Sequence, residues 1–302
     1  MSNVRRGGAA GVVFLLLAGC AMTEADGAGL VGSLSTYGTD AHISASVPDA
    51  ILRYSPHARG FAELRLPEGQ GVFPLAIIFH GGCWKAGIAD TAYMSPLATQ
   101  WQAKGIATLN VDYREVGDGG GWPGSFEDWD SAAHMIDRVA SEYAIDRGRV
   151  TLVGHSAGAL PALWLATSQG AGGPVGVRAA TSARAAIVLD GPGDIGREAR
   201  DFDALCEFSS VGPFLGMSGQ KADNRLAAIS PLRKAPQLKQ VLFVQAKLPS
   251  PPADAIAAIG AGGAQVGVLS NPGASHFAIA TPGDSVYEQH EPAMLAVLRG
   301  TE

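Results

Sequence analysis

From Phe61 onward the chain changes its hydrophobic period repeatedly, and this switching restricts the folds open to it. Residues 61–66, Phe-Ala-Glu-Leu-Arg-Leu, alternate as a half-exposed strand does, and a Pro-Glu-Gly-Gln-Gly turn follows. Residues 75–79 and 106–111 are continuous apolar runs, the pattern of strands covered on both faces. Between them, residues 92–104 read as a helix that ends at Gly105. A second helix follows Ser125–Asp128, which has the form of a capping box. It carries Phe126, Trp129, Ala133, Ile136, Ala140 and Tyr143 at alternating three- and four-residue spacing. Further strands are expected at 149–153, 185–189, 241–245 and 265–269, with a closing helix at 287–299. Strand–helix alternation of this length predicts an α/β domain: a mostly parallel sheet with helices on both faces. Residues 194–237 lack a clear period and read as a cap-like insertion over the carboxyl edge of the sheet.

Composition narrows the partners. With 47% hydrophobic and 17% charged residues the chain has enough apolar material for a substantial core. A net charge of −6 without any basic block argues against a nucleic-acid partner. There is no CxxC, and no His/Cys cluster has zinc-ligand spacing, so neither a metal nor an organic cofactor is implied.

Three stretches carry chemistry. Gly154-His-Ser156-Ala157-Gly158 stands between the strand at 149–153 and a helix beginning near Ala159. A serine at the tip of so tight a turn has a strained backbone, and only glycine fits two residues away on either side. The helix that follows aims its first amides at the serine oxygen. His80-Gly81-Gly82 ends the strand at 75–79, and the two glycine amides are unhindered donors for a developing oxyanion. His276 lies in a loop after the last strand, where an imidazole has the reach to act as general base. His80 reads as structural, while Trp84 suits either a pocket wall or the core. His290, in a helix, is the other histidine to weigh against His276.

The amino-terminal segment reads as an address. Arg5 and Arg6 precede the apolar run 11–19, and Leu17-Ala-Gly-Cys20 resembles a bacterial lipobox. That resemblance implies a lipoprotein signal peptide at 1–19, acylation of Cys20, and a Gly/Ser/Thr/Ala-rich tether at 20–49. Ala21 after the cysteine implies the periplasmic side of the outer membrane. Cys83 and Cys206 then remain in an oxidising compartment, as a bridge or as buried free thiols.

In their order along the chain, His-Gly-Gly, the Gly-x-Ser-x-Gly turn and a terminal-loop His276-Phe277 resemble the α/β-hydrolase superfamily, in particular its His-Gly-Gly esterases of hormone-sensitive-lipase-like, feruloyl-esterase-like and kynurenine-formamidase-like type. The resemblance implies an α/β-hydrolase domain over 50–302 that cleaves small carboxylic esters through an acyl-enzyme. Ser156 would be nucleophile and His276 base, with the amides of Ala157 and of Gly81 or Gly82 as the oxyanion hole. The chain departs from the family at the acid. Gln245-Ala-Lys-Leu-Pro-Ser-Pro-Pro-Ala-Asp254 has no carboxylate at the usual distance after its strand. Asp190, at the end of the preceding strand, is the leading substitute, with Asp254, Asp194 and an acid-free Ser–His dyad as alternatives. Ester over amide is a preference the resemblance implies, with an amide hydrolase of formamidase or peptidase type as its rival, and the departure at the acid leaves open a binding lipoprotein on an impaired hydrolase fold.

Overall fold

The computed structural model describes residues 43–167, 183–216, 220–230 and 238–301. The expected signal peptide, Cys20 and most of the expected tether lie outside them. The tether ends earlier than its expected limit at 49. Ser46 already hydrogen-bonds Thr99 and Gln102 and accepts Arg65 on its carbonyl, and the Asp49 amide donates to Leu64.

Eight strands form one sheet: β1 (Ala50–Arg53), β2 (Phe61–Arg65), β3 (Phe73–Phe79), β4 (Ala107–Val111), β5 (Ile145–His155), β6 (Ala185–Leu189), β7 (Gln240–Gln245) and β8 (Gln265–Ser270). Their order is β1-β2-β4-β3-β5-β6-β7-β8, and only the β1–β2 and β2–β4 pairs are antiparallel. The helices are α1 (Ser95–Ala103), α2 (Gly124–Glu142), α3 (Ala159–Thr167), α4 (Ile195–Cys206), α5 (Val211–Leu215), α6 (Gln220–Ile229), α7 (Ala253–Ala261) and α8 (Ser285–Arg299).

The apolar runs conceal a period of two. Leu75, Ile77 and Phe79 of β3 pack with Trp129 of α2 and Trp164 of α3, whereas Ala76 and Ile78 pack with Trp101 of α1 and Leu298 of α8. Both faces of the strand are dry, so each residue is apolar whichever way it points. The spaced apolar stripe of α2 faces the sheet as expected, with Phe126, Trp129, Ala133 and Ile136 buried. Its capping box is absent, because the helix starts at Gly124 behind Pro123 with no side-chain cap. Ser125 instead donates to the Arg114 carbonyl and receives the Gly121 amide, while Asp128 binds the Arg114 guanidinium.

Residues 194–237 contain α4, α5 and α6. Helix α4 opens on a reciprocal cap: the Asp194 carboxylate accepts the Gly196 amide and Glu198 accepts the Asp194 amide. Its end is tied down by a Cys83–Cys206 disulfide, with Cα atoms 6.1 Å apart. Trp84 resolves to core: it is fully buried, its ring lies 4.4 Å from Phe214 of α5, and its indole N–H donates to the Ala157 carbonyl at 3.0 Å.

The chain leaves β3 towards β4 and then crosses back over β3 to β5. This reversal opens a crevice at the carboxyl ends of β3 and β5, where open α/β sheets bind ligands. His80-Gly81-Gly82 and Ser156 emerge there.

Candidate active site

Ser156 follows β5 directly and opens a short 3-10 turn, Ser156–Gly158, that runs into α3. Its φ is +55°, a left-handed conformation that costs a side-chain-bearing residue about 1–2 kcal/mol. The flanking glycines are sterically required. A Cβ on Gly154 would lie 1.9 Å from the Gly158 carbonyl oxygen, and one on Gly158 would lie 2.1 Å from that of Phe79. A Cβ on Gly191, after β6, would meet the Ala159 Cβ at 2.2 Å. The turn is therefore wedged between β3 and β6, and the serine is held at the floor of the crevice.

His276 follows β8. Its Nδ1 lies 2.7 Å from Oδ2 of Asp190, which is fully buried at the end of β6 with φ +42°. The same carboxylate accepts three main-chain amides, from Ala246, Lys247 and Leu248 at 2.8–2.9 Å. The stretch after β7 that lacks the expected acid thus supplies a cradle of donors for an acid from the neighbouring strand. Burial opposes the charge on Asp190, but the bonds from His276 and the amides prevail and hold its carboxyl below the usual range. The other two acid candidates are elsewhere. Asp254 is exposed and ion-paired with Arg197, and Asp194 caps α4 and accepts Ser230. His290 bonds Asn271 and does not line the crevice.

Ser156 and His276 line one cavity of about 380 Å³, together with Gly82 and Tyr93. Its walls are mainly apolar: Ile88 and Ala89 from the loop after β3, Leu205 and Phe208 from the insertion, and Phe277. Both half-cystines also face it. The described part of the insertion thus contributes one side of the cavity, and it is joined to the glycine loop by the disulfide and by Lys85 standing 4.7 Å over the Phe208 ring.

The two glycines differ in a way that their sequence does not reveal. The Gly81 amide donates to the Tyr93 hydroxyl, so Gly81 is corrected as an oxyanion donor. The Gly82 amide, at φ +99°, has no hydrogen-bond partner among the described residues and belongs to the cavity wall. Ala157 lies in the first turn after the strand, where main-chain N–H groups lack intrahelical acceptors. The loop rests on a buried polar cluster. His80 is stacked on Tyr113 and bonds Asp112 as expected of a structural histidine, while Arg59 bridges Asp112 and Glu115. Burial outweighs His80 and Arg59 at Glu115 and pushes its carboxyl up to about 7. Sequence reasoning missed Tyr93 and gave His155 no role beyond the turn. His155, fully buried, bonds Tyr93 at 3.0 Å and the His276 carbonyl at 2.9 Å. Among the described residues no His, Cys, Asp and Glu group into a metal-binding cluster, and no helix is long and apolar enough to cross a membrane.

This sheet order, with a serine elbow after β5 and a histidine after β8, defines an α/β-hydrolase. Among solved structures, the chain is similar to a truncated carbohydrate esterase from gut microbiota, with TM-score 0.66 and 17% identity over 85% of this chain and 98% of that one. Apo esterase 2 of Thermogutta terrifontis matches with TM-score 0.64 and 17% identity over 83% and 95%. A bifunctional GH43-CE protein of Bacteroides eggerthii matches with TM-score 0.62 and 18% identity over 81% of this chain and 37% of that one. The BD-FAE family model matches residues 63–240, more than half of the sequence, and the chain belongs to that esterase-type family. Comparison with curated proteins finds no match.

Proposed function

We propose that the protein is a serine esterase that cleaves small, neutral carboxylic esters through an acyl-enzyme. One observation carries the reading: a strained, glycine-wedged serine shares an apolar cavity with a histidine whose Nδ1 is held at 2.7 Å by a buried aspartate. Asp190 fixes the His276 tautomer with its proton on Nδ1 and Nε2 free to accept. Ser156 Oγ attacks the ester carbonyl as Nε2 takes its proton, and Asp190 stabilises the resulting imidazolium. The tetrahedral oxyanion receives the Gly82 and Ala157 amides, each donor of this type being worth ~3 kcal/mol. The imidazolium then protonates the departing alkoxide. Water, deprotonated by His276, attacks the acyl-enzyme and releases the carboxylic acid and the serine hydroxyl.

The cavity supports a small apolar acyl group, and the likeness to esterases supports ester over amide. The reading as an impaired binding protein rested on the missing acid, and the 2.7 Å contact of Asp190 with His276 Nδ1 supports Asp190 in that role instead. The proposal includes the envelope: Leu17-Ala-Gly-Cys20 supports acylation at Cys20 and attachment to the outer membrane on its periplasmic side. A fluorophosphonate probe tests the chemistry. It is expected to label the wild type and not Ser156→Ala, and absence of wild-type labelling between roughly pH 6 and 9 refutes the serine mechanism.

A further inference from the structure

A hydrogen-bond chain with one polarity joins the glycine loop to the loop of the histidine. The carbonyl oxygen of His276 accepts only, so His155 must carry its proton on Nε2 to bond it at 2.9 Å. His155 is neutral: it is fully buried, and burial, reinforced by neighbouring His276, pushes it down to about 3. Its Nδ1 is then an acceptor, and the Tyr93 hydroxyl 3.0 Å away must donate to it. That hydroxyl in turn accepts the Gly81 amide. Every proton in the chain is committed in one direction, from Gly81 through Tyr93 and His155 to the His276 backbone. The fit is close, since a Cβ on Gly81 would lie 2.7 Å from the Tyr93 hydroxyl and 2.9 Å from the Ser156 Cβ. Tyr93 is itself anchored in a 3-10 turn capped by the Asp90 side chain, which accepts the Ala92 amide.

We propose that Tyr93 and His155 are positioning residues: they lock the main chain at His276 to the glycine loop, holding the imidazole against Asp190 and leaving Gly82, not Gly81, as the loop's free donor. The inference rests on the proposed esterase reading for its effect on turnover, but the lock itself is a property of the fold. The side chain next to the nucleophile thus holds the base by its backbone, while Asp190 holds it by its ring.

The test follows the His276 Nδ1 proton shared with Asp190 by NMR, as its rate of exchange with solvent, in the wild type, Tyr93→Phe, His155→Leu and His155→Gln. Exchange is expected to quicken about tenfold in Tyr93→Phe, the equivalent of one lost hydrogen bond, and further in His155→Leu. His155→Gln places an amide N–H near the Nε2 position and is expected to restore most of the protection. In the same proteins kcat for p-nitrophenyl acetate should fall in parallel while KM stays within about twofold. Tyr93→Phe exchange within about twofold of the wild type, or His155→Gln no better than His155→Leu, overturns the lock. Fluorophosphonate labelling of Ser156 judges the esterase reading separately: a protein that fails to label but shows the exchange pattern keeps the lock and loses the chemistry.

Discussion

Replacing Asp190 by asparagine changes one atom in a site where all four contacts are donors. Oδ1 accepts the amides of Ala246 and Leu248, and Oδ2 accepts Lys247 N–H and His276 Nδ1. The asparagine NH₂ must face one of these pairs. Against Ala246 and Leu248 it leaves two buried amides unpaired, at about 1–3 kcal/mol each. Against Lys247 and His276 it leaves one unpaired, because the imidazole can move its proton to Nε2 and accept on Nδ1. The second arrangement is therefore preferred, and it puts the histidine in the tautomer that cannot take the serine proton. We expect kcat to fall about 10³–10⁴-fold, the scale of a wrong-tautomer defect, with KM nearly unchanged. The single orphaned amide should lower the melting temperature by several degrees, at roughly 2–4 °C per kcal/mol. The acid limb of stability should change as well. A carboxyl held below its usual range adds stability that is complete at neutral pH and is lost as pH falls through its lowered value. The variant should lack that limb. Steady-state hydrolysis of p-nitrophenyl acetate and thermal melts from acid to neutral pH measure both effects. Asp254→Asn, at an exposed ion pair, serves as control and should stay within about twofold. An Asp190→Asn enzyme retaining more than about a tenth of wild-type kcat would refute the reasoning.

Glu115 has the opposite sign. Its carboxyl is raised from 4.5 to about 7, so its contribution is present below the lower value and lost as pH climbs through the upper one. Glu115→Gln should flatten the fall in melting temperature across that window, and parallel slopes would contradict the assignment. The Cys83–Cys206 bridge closes a separation of 123 residues, for which loop entropy implies about 3–5 kcal/mol; the double serine variant should melt well below the wild type, and an unchanged melt would count against a formed bridge. Cys20→Ser should move the protein from the membrane to the soluble fraction of the cell envelope, and continued membrane association would rule out lipid anchoring at that residue.

The backbone architecture was legible because each strand is either alternating, as in β2, or apolar throughout, as in β3, and each of these patterns has one physical cause. Ser156 was legible because its turn needs glycines at fixed offsets, a local steric demand written into the sequence. Asp190 could be nominated but not assigned, because what selects it over Asp254 and Asp194 is the amide cradle from a stretch 56 to 58 residues away. The choice between Gly81 and Gly82 was not legible at all. It depends on the Tyr93 hydroxyl, brought in by a helical segment whose sequence gives no sign of it. The apparent capping box at Ser125 failed for a related reason. Its serine and aspartate are the right residues for a cap, but Arg114 and Gly121 compete for them across space.

The disulfide has a consequence for traffic into the cavity. Cys83 is the next residue after the free amide of Gly82, and Cys206 is the last residue of α4, so the end of that helix and the glycine loop are covalently joined at the cavity. If the end of α4 moved, it would pull the glycine loop and the Gly82 amide with it. Phe208 under its lysine, by contrast, can change rotamer at the cavity wall without disturbing the bridge.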